Sequence, residues 1–535
     1  MPPGRAGLRP SPPAYFIMAV FEISIALLLV GAALAALARR TDLPYPALLA
    51  VAGVALALVP GTPTVTLDPE LALALFVAPV LLDAAFDTSP RDLREHWRSV
   101  ASLAVGSVVL TVAAVAVTAR WLVPDIPWAA AIALGAIVAP PDAAAATAVL
   151  RQLRPPHRLL VILEGESLFN DASALLIYRL AVGAALGAMV VGYEVVPLLL
   201  AVTAGSVVLG LVLSRIMRFV SRGIRDVATS VVVQFTGTFA VWLIAERIHL
   251  SGILTMVVFA MAVARTAPDQ IPARIRIPSY AVWDVAVFVL NVLAFILVGL
   301  QLKPILARLG QGGALSYLGT AAAVCAVVML VRIVWVMGGE LAGRPLAGIG
   351  RGPAGRCGSP RNAAVVAWCG MRGIVTLAAA LALPAGLPFR DLLLFTAFCV
   401  VVGTLVIQGL TLRPLMSWLG LEQDDAVDRE VRLARSETAR AAVTALDGAD
   451  EQSLAARFLR GEYLSRLPGA PRDGDGAPPG ELIRRAVAAE RRRLLALRAD
   501  GTIGDDAFHR VEEELDWAEL NAELGTIGRI RTEGT

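Results

Sequence analysis

Long apolar stretches alternate with short arginine-bearing turns over most of this chain, and then the pattern stops. Runs apolar enough to cross roughly 30 Å of hydrocarbon fall at about 19–38, 43–60, 69–87, 98–122, 126–150, 159–190, 196–219, 227–246, 250–265, 278–302, 314–338, 363–384 and 389–417. A segment in lipid must satisfy its own backbone, so the pattern predicts an all-α polytopic membrane protein of about thirteen transmembrane helices. After Leu421 acids and bases recur at helical spacing among Leu, Ala and Val, interrupted by the turn-rich "PGAPRDGDGAPPG". That predicts a helical tail outside the bilayer, read first as a stability or assembly element and second as a regulatory one. The expected organisation is an N-terminal extension over 1–18, a transmembrane region over 19–417 and a tail over 418–535.

Arginine placement gives the orientation. Loops after the odd-numbered runs carry Arg39 and Arg40, Arg91 and Arg94, Arg151 and Arg154, Arg215 and Arg218, Arg274 and Arg276, and Arg351 and Arg356; the alternate loops carry almost none. By the positive-inside rule the N-terminus lies outside and the tail is cytoplasmic. Starting translation at Met18 would remove Arg5 and Arg9 from the outer face, and that start is the expected one.

Composition agrees: 57% of residues are hydrophobic, 17% charged, and the mean hydropathy is +0.69. Cys325, Cys357, Cys369 and Cys399 show no paired or metal-ligand spacing, and the four histidines stand apart, so disulfide and metal chemistry are not expected. The net charge of +3 is spread over short loops, which argues against nucleic acid. No nucleophile–base pair suggests an enzyme.

The sixth run holds "ILEGESLFNDAS". Entering from the cytoplasm near residue 159, at about 1.5 Å per residue, it places Asp171 about 18 Å deep. Ser167, Asn170 and Asp171 share a helix face, with Glu166 beside them. A charge at that depth is costly unless it faces protein, water or a counter-ion, so Asp171 reads as functional in preference to a locking ion pair. In the fifth run Pro140 and Pro141 should break the helix, leaving Asp142 to cap the second half. The twelfth run has Arg372 between Gly370 and Gly373. It suits a second interrupted helix, with Arg372 near an exposed carbonyl end or paired with Glu166. An inverted repeat of runs one to six and eight to thirteen would place the two breaks at equivalent positions. Asp83 is expected to line the cytoplasmic approach. Arg332 is a further charge at depth, and Gln234, Asn291 and Gln301 read as interhelical glue.

"VAPPDAAAATAVL", "LEGESLFNDASALLIYRLAV", "LNVLAFILVGLQL" and "GMRGIVTLAAALALP", in this order, resemble the prokaryotic sodium/proton exchangers of the cation:proton antiporter-1 family. The resemblance implies a monovalent cation and proton site at Asp171, Asn170 and Ser167, with Asp142 and Asp83 contributing. It makes Glu166 and Arg372 the charges of ion pairing and dipole compensation, a group in which Arg332 is also placed for its depth. One departure stands out: the family often has Thr-Asp-Pro at the crossing, where this chain has Pro141-Asp142-Ala143. The resemblance further implies electroneutral Na⁺/H⁺ antiport by alternating access, for pH and sodium homeostasis, by a homodimer in the cell membrane with no cofactor beyond the transported ions. The moving core would be about 98–190 and 314–417. A K⁺/H⁺ or mixed-cation antiporter is the alternative, and a cation channel or membrane sensor the reading from another class.

Overall fold

The computed structural model describes residues 14–41, 43–60, 62, 68–150, 155–187, 195–267, 271–309, 313–347, 357, 359–421, 426–446, 457, 459–460, 463 and 480–532. Among these the regular structure is helical throughout, with no strand. Residues 1–13 of the expected N-terminal extension, Pro468–Pro479 of the tail linker and the loop residues Arg151, Arg154, Arg351 and Arg356 lie outside the described residues.

The helices are α1 (Ala14–Thr41), α2 (Tyr45–Leu58), α3 (Pro69–Asp87), α4 (Pro90–Leu122), α5 (Trp128–Val138), α6 (Ala143–Leu150), α7 (His157–Ala185), α8 (Val195–Ser221) and α9 (Val227–Arg247). They continue as α10 (Gly252–Ala264), α11 (Ala273–Leu300), α12 (Leu302–Leu309), α13 (Gly313–Ala347), α14 (Pro360–Trp368), α15 (Ile374–Leu381) and α16 (Arg390–Leu419). The tail supplies α17 (Ala426–Leu446), α18 (Gly480–Ala499) and α19 (Asp505–Thr532). Seven helical stretches among the described residues are long and apolar enough to cross a membrane, and α2, α5 and α10 are shorter apolar helices. Two of the apolar runs are split: the fifth into α5 and α6, the twelfth into α14 and α15.

The polar residues between runs act as helix starts. Asp68 accepts from Leu71 N at 2.9 Å, Asp226 from Thr229 N at 3.0 Å and Ser359 from Asn362 N at 3.1 Å, each satisfying an otherwise orphaned amide. Inside the bundle there is no hydrophobic gain from helix association in lipid, so close backbone approach matters. At the α2–α11 contact a side chain on Gly53 would lie 3.0 Å from Gly299 Cα. In α4 the hydrogen bonding widens to a π turn over Ser102–Ser107. Ser173 Oγ of α7 donates to Ala104 O there at 2.6 Å and Trp335 Nε1 of α13 to Ser102 O at 3.1 Å, fixing α7 and α13 against α4.

Tail helices α17, α18 and α19 pack around Val431, Leu494, Phe508 and Leu515. They also dock on the membrane helices. Arg276, read from sequence as a loop charge, lies within α11, 1% exposed. Its Nε donates to Asp516 Oδ2 at 2.8 Å, and Glu512 lies 3.4 Å from Nη1. A partner 240 residues away leaves no local mark on the sequence around Arg276. His157, at the start of α7, bridges Asp92 of α4 and Asp506 of α19 at 3.1 Å each.

Candidate cation site at two facing helix breaks

Between Val138 and Ala143 lie Pro140 and Pro141, which cannot donate and which crowd the preceding turn; α5 stops and α6 starts afresh. Between Trp368 and Ile374 the chain runs through Cys369, Gly370, Met371, Arg372 and Gly373. The two breaks touch: Asp142 N donates to Met371 O at 2.7 Å.

Breaking a helix at depth exposes carbonyls on one side and amides on the other. Arg372, 1% exposed, answers the carbonyls. Its Nε donates to Val138 O at 2.7 Å, Nη2 to Ala139 O at 3.0 Å and Nη1 to Gly370 O. Its backbone N donates to Thr404 Oγ1 at 3.0 Å. On the amide side, Asp142 Oδ1 accepts from Ala144 N at 2.9 Å, at the start of α6. The Asp142 carboxylate rests against Gly373, where any Cβ would collide with it.

Helix α7 runs past both breaks. Asn170, fully buried, donates from Nδ2 to Pro141 O at 3.0 Å, while its Oδ1 has no protein partner among the described residues. Asp171, 6% exposed, shares a cavity of about 270 Å³ with Asp142, Ser167, Asp83, Glu164 and Asn291. Five of the predicted residues are thus gathered: four line the cavity, and Asn170 stands behind it on the broken stretch of backbone.

Glu166 points elsewhere. Arg332 of α13 donates from Nη1 to Glu166 Oε1 at 2.5 Å and from Nη2 to Oε2 at 2.8 Å. Its Nε and Nη2 also reach Val366 O. The expected alternative of an Arg372–Glu166 pair is therefore replaced by Arg332–Glu166, because Arg372 is consumed by the α5 carbonyls. Sequence reasoning overlooked Thr404, whose hydroxyl looks like any other in an apolar helix. Gly373, which the sequence marks only as a flank of Arg372, seats Asp142. Glu164 lies in the "ILEGESLFNDAS" motif, where its sequence position alone assigns it no role.

The polar groups on the wall of this otherwise largely apolar cavity are carboxylates, hydroxyls and an amide, the oxygen ligands a hard cation requires. Asp171 faces this cavity while Arg332 and Arg372 are engaged elsewhere, so it can exchange a proton for such a cation with neither arginine released.

Residues 25–418 match the family model described as the transmembrane sodium/hydrogen exchanger. An uncharacterized Na⁺/H⁺ exchanger of Mycobacterium tuberculosis is 32% identical over 531 residues, covering 94% of this chain and 96% of that one. A sodium, potassium, lithium and rubidium/H⁺ antiporter of Bacillus pumilus is 28% identical, covering 89% and 74%. Among solved structures, the sodium/proton antiporter MjNhaP1 of Methanocaldococcus jannaschii aligns with a TM-score of 0.59 at 18% identity, over 74% of this chain and 99% of that one, and so shares the fold. With its family model spanning most of the membrane helices and a relative matched almost end to end, the chain belongs to the sodium/hydrogen exchanger family.

Proposed function

We propose that this protein exchanges a monovalent cation, sodium foremost, for a proton at Asp171, with Asn170, Ser167 and Asp142 completing the site and Asp83 on its approach. The observation that carries the reading is the placement of Asp171 and Asp142 in one cavity at two facing breaks, with Arg372 turned to the α5 carbonyls. Proton and cation compete for the same carboxylate oxygens: when the O–H bond forms the cation leaves, and when the cation binds the proton departs to water. Because position 170 is a neutral asparagine, one proton balances one cation and the cycle is electroneutral.

Alternating exposure comes from rocking of a core, about 98–190 and 314–417, against the remaining helices, as the facing breaks suit. The arginines clustered at alternate ends of the apolar runs support, by the positive-inside rule, a cytoplasmic tail and an outside N-terminus in the cell membrane. The same reading takes about thirteen crossings in two inverted repeats, a tail from about 418, and a homodimer formed through helices outside the core. Its cellular role is pH and sodium homeostasis.

A broader cation choice is the second reading, favoured by the Bacillus relative whose name includes potassium, lithium and rubidium and by a cavity whose polar groups are oxygen ligands common to all of these ions. Proton flux in everted vesicles, followed with a pH-sensitive dye on adding Na⁺, Li⁺ or K⁺, separates the two. The expected result is dissipation of the gradient by wild type and none by Asp171→Asn, with the ion ranking naming the substrate. An Asp171→Asn protein as active as wild type would remove Asp171 from the site.

A further inference from the structure

Helix α7 carries a titratable residue at every second turn: His157, Glu164 and Asp171. Seven residues make nearly two turns, so the three fall along one stripe of the helix at intervals of about 10 Å. The cavity around Asp171 extends to Glu164. A second cavity, of about 300 Å³, begins at Glu164 and ends at His157, Asp92 and the tail residues Asp506 and His509. Glu164 is thus a wall of both, half-buried, midway between the tail-covered mouth and Asp171.

We propose that Glu164 is the carboxylate through which the cation passes between the tail-side mouth and the Asp171 cavity, and that it sets cation affinity from that side alone. The inference rests on Asp171 as the exchange site. Inward from the mouth, where His157 bridges Asp92 and Asp506, the next carboxylate along α7 is Glu164. A cation shedding water over about 20 Å of low-dielectric passage needs oxygen along the way. Glu164 also shares a rigid helix with Asp171, so their register holds when the helix moves. Asp87 borders both cavities too, but it ends α3 and would not travel with Asp171.

The test compares the two faces of the full-length protein in everted and right-side-out vesicles, with orientation read from protease access to the tail. For Glu164→Gln the apparent KM for Na⁺ offered at the tail side should rise about fivefold to tenfold, the loss of one focusing charge near the path. The KM from the opposite face should stay within about twofold of wild type, and Glu164→Asp should recover most of the difference. A merely structural role would shift both faces together, and that outcome, or no shift at either, overturns the proposal. If Glu164→Gln is not recovered as folded protein, Glu164→Ser carries the same two-face comparison. Asp171→Asn run alongside keeps the cases apart: its retaining exchange refutes the site reading, whereas an inactive Asp171→Asn beside an unchanged Glu164→Gln refutes only the role of Glu164.

Discussion

Arg332 and Glu166 meet as a bidentate pair, two parallel hydrogen bonds of 2.5 and 2.8 Å between residues that are each 1% exposed. They tie α13 to α7 on the side away from the cation cavity. Removing one partner strands a buried charge, which typically costs about 3–5 kcal/mol, while replacing both with apolar residues of similar volume is often close to neutral. Glu166→Ala should therefore lower the thermal unfolding midpoint in detergent sharply. Glu166→Met with Arg332→Met should recover most of it. A double variant as unstable as the single would show that the pair supplies net stability beyond charge balance.

Arg372 reaches three carbonyls from three nitrogens, a task for a planar fork that a lysine ammonium cannot repeat. Both Arg372→Ala and Arg372→Lys should reduce cation-driven proton flux more than about tenfold at matched protein levels. Thr404→Val removes the acceptor of Arg372 N and the hydroxyl's own donation to Val400 O; leaving that buried amide unpaired costs about 1–3 kcal/mol, and the loss of flux should be smaller than in either Arg372 variant. Wild-type flux in Arg372→Lys would mean that charge alone suffices at the α5 end.

Two glycines of the second break separate binding from stability. A methyl on Gly370 would fall 2.6 Å from Arg332 Cδ, and one on Gly373 would fall 2.8 Å from Asp142 Cβ and still nearer its carboxylate. The first clash strains the ion-pair side, the second displaces a wall of the cavity. Gly373→Ala should raise the apparent KM for the cation several-fold with a near-normal unfolding midpoint, and Gly370→Ala should do the reverse. Equal effects on both quantities in both variants would deny that Gly373 seats Asp142.

What was legible in the sequence and what was not divide along physical lines. Prolines and intramembrane acids announce themselves because each violates the rule of its surroundings: Pro140 and Pro141 end a helix, and Asp171 stands in an apolar run. Partners chosen across the fold do not. Arg332 could have served any acid at its depth, and only the packing of α13 and α7 against a common α4 pairs it with Glu166. Arg276 sits in a stretch rich in arginines, so its burial against Asp516 could not be told from a loop charge. Gly373 reads as flexibility in sequence and as vacated volume in space.

His157 stands just ahead of the sixth apolar run, between Asp506 of the tail and Asp92 of α4. Hydrogen bonds to Asp506 and then to Asp92 outweigh its burial and push its pKa from 6.5 up to about 10. The folded value lies above the unfolded one, so this contact stabilises docking fully below pH about 6.5, progressively less above it, and no longer beyond pH about 10. Loss of the His157 proton leaves Asp92 and Asp506 facing each other without the cation between them. Amide hydrogen exchange in Ala507–Val511 of α19, corrected for the intrinsic pH dependence, should quicken between pH 7 and 10 in wild type. In His157→Gln it should be fast throughout and nearly flat with pH, since no proton remains to be lost at the bridge. A wild-type profile as flat as the variant's would assign tail docking to the permanently charged Arg276–Asp516 contact instead, and His157 would be a bystander at the mouth.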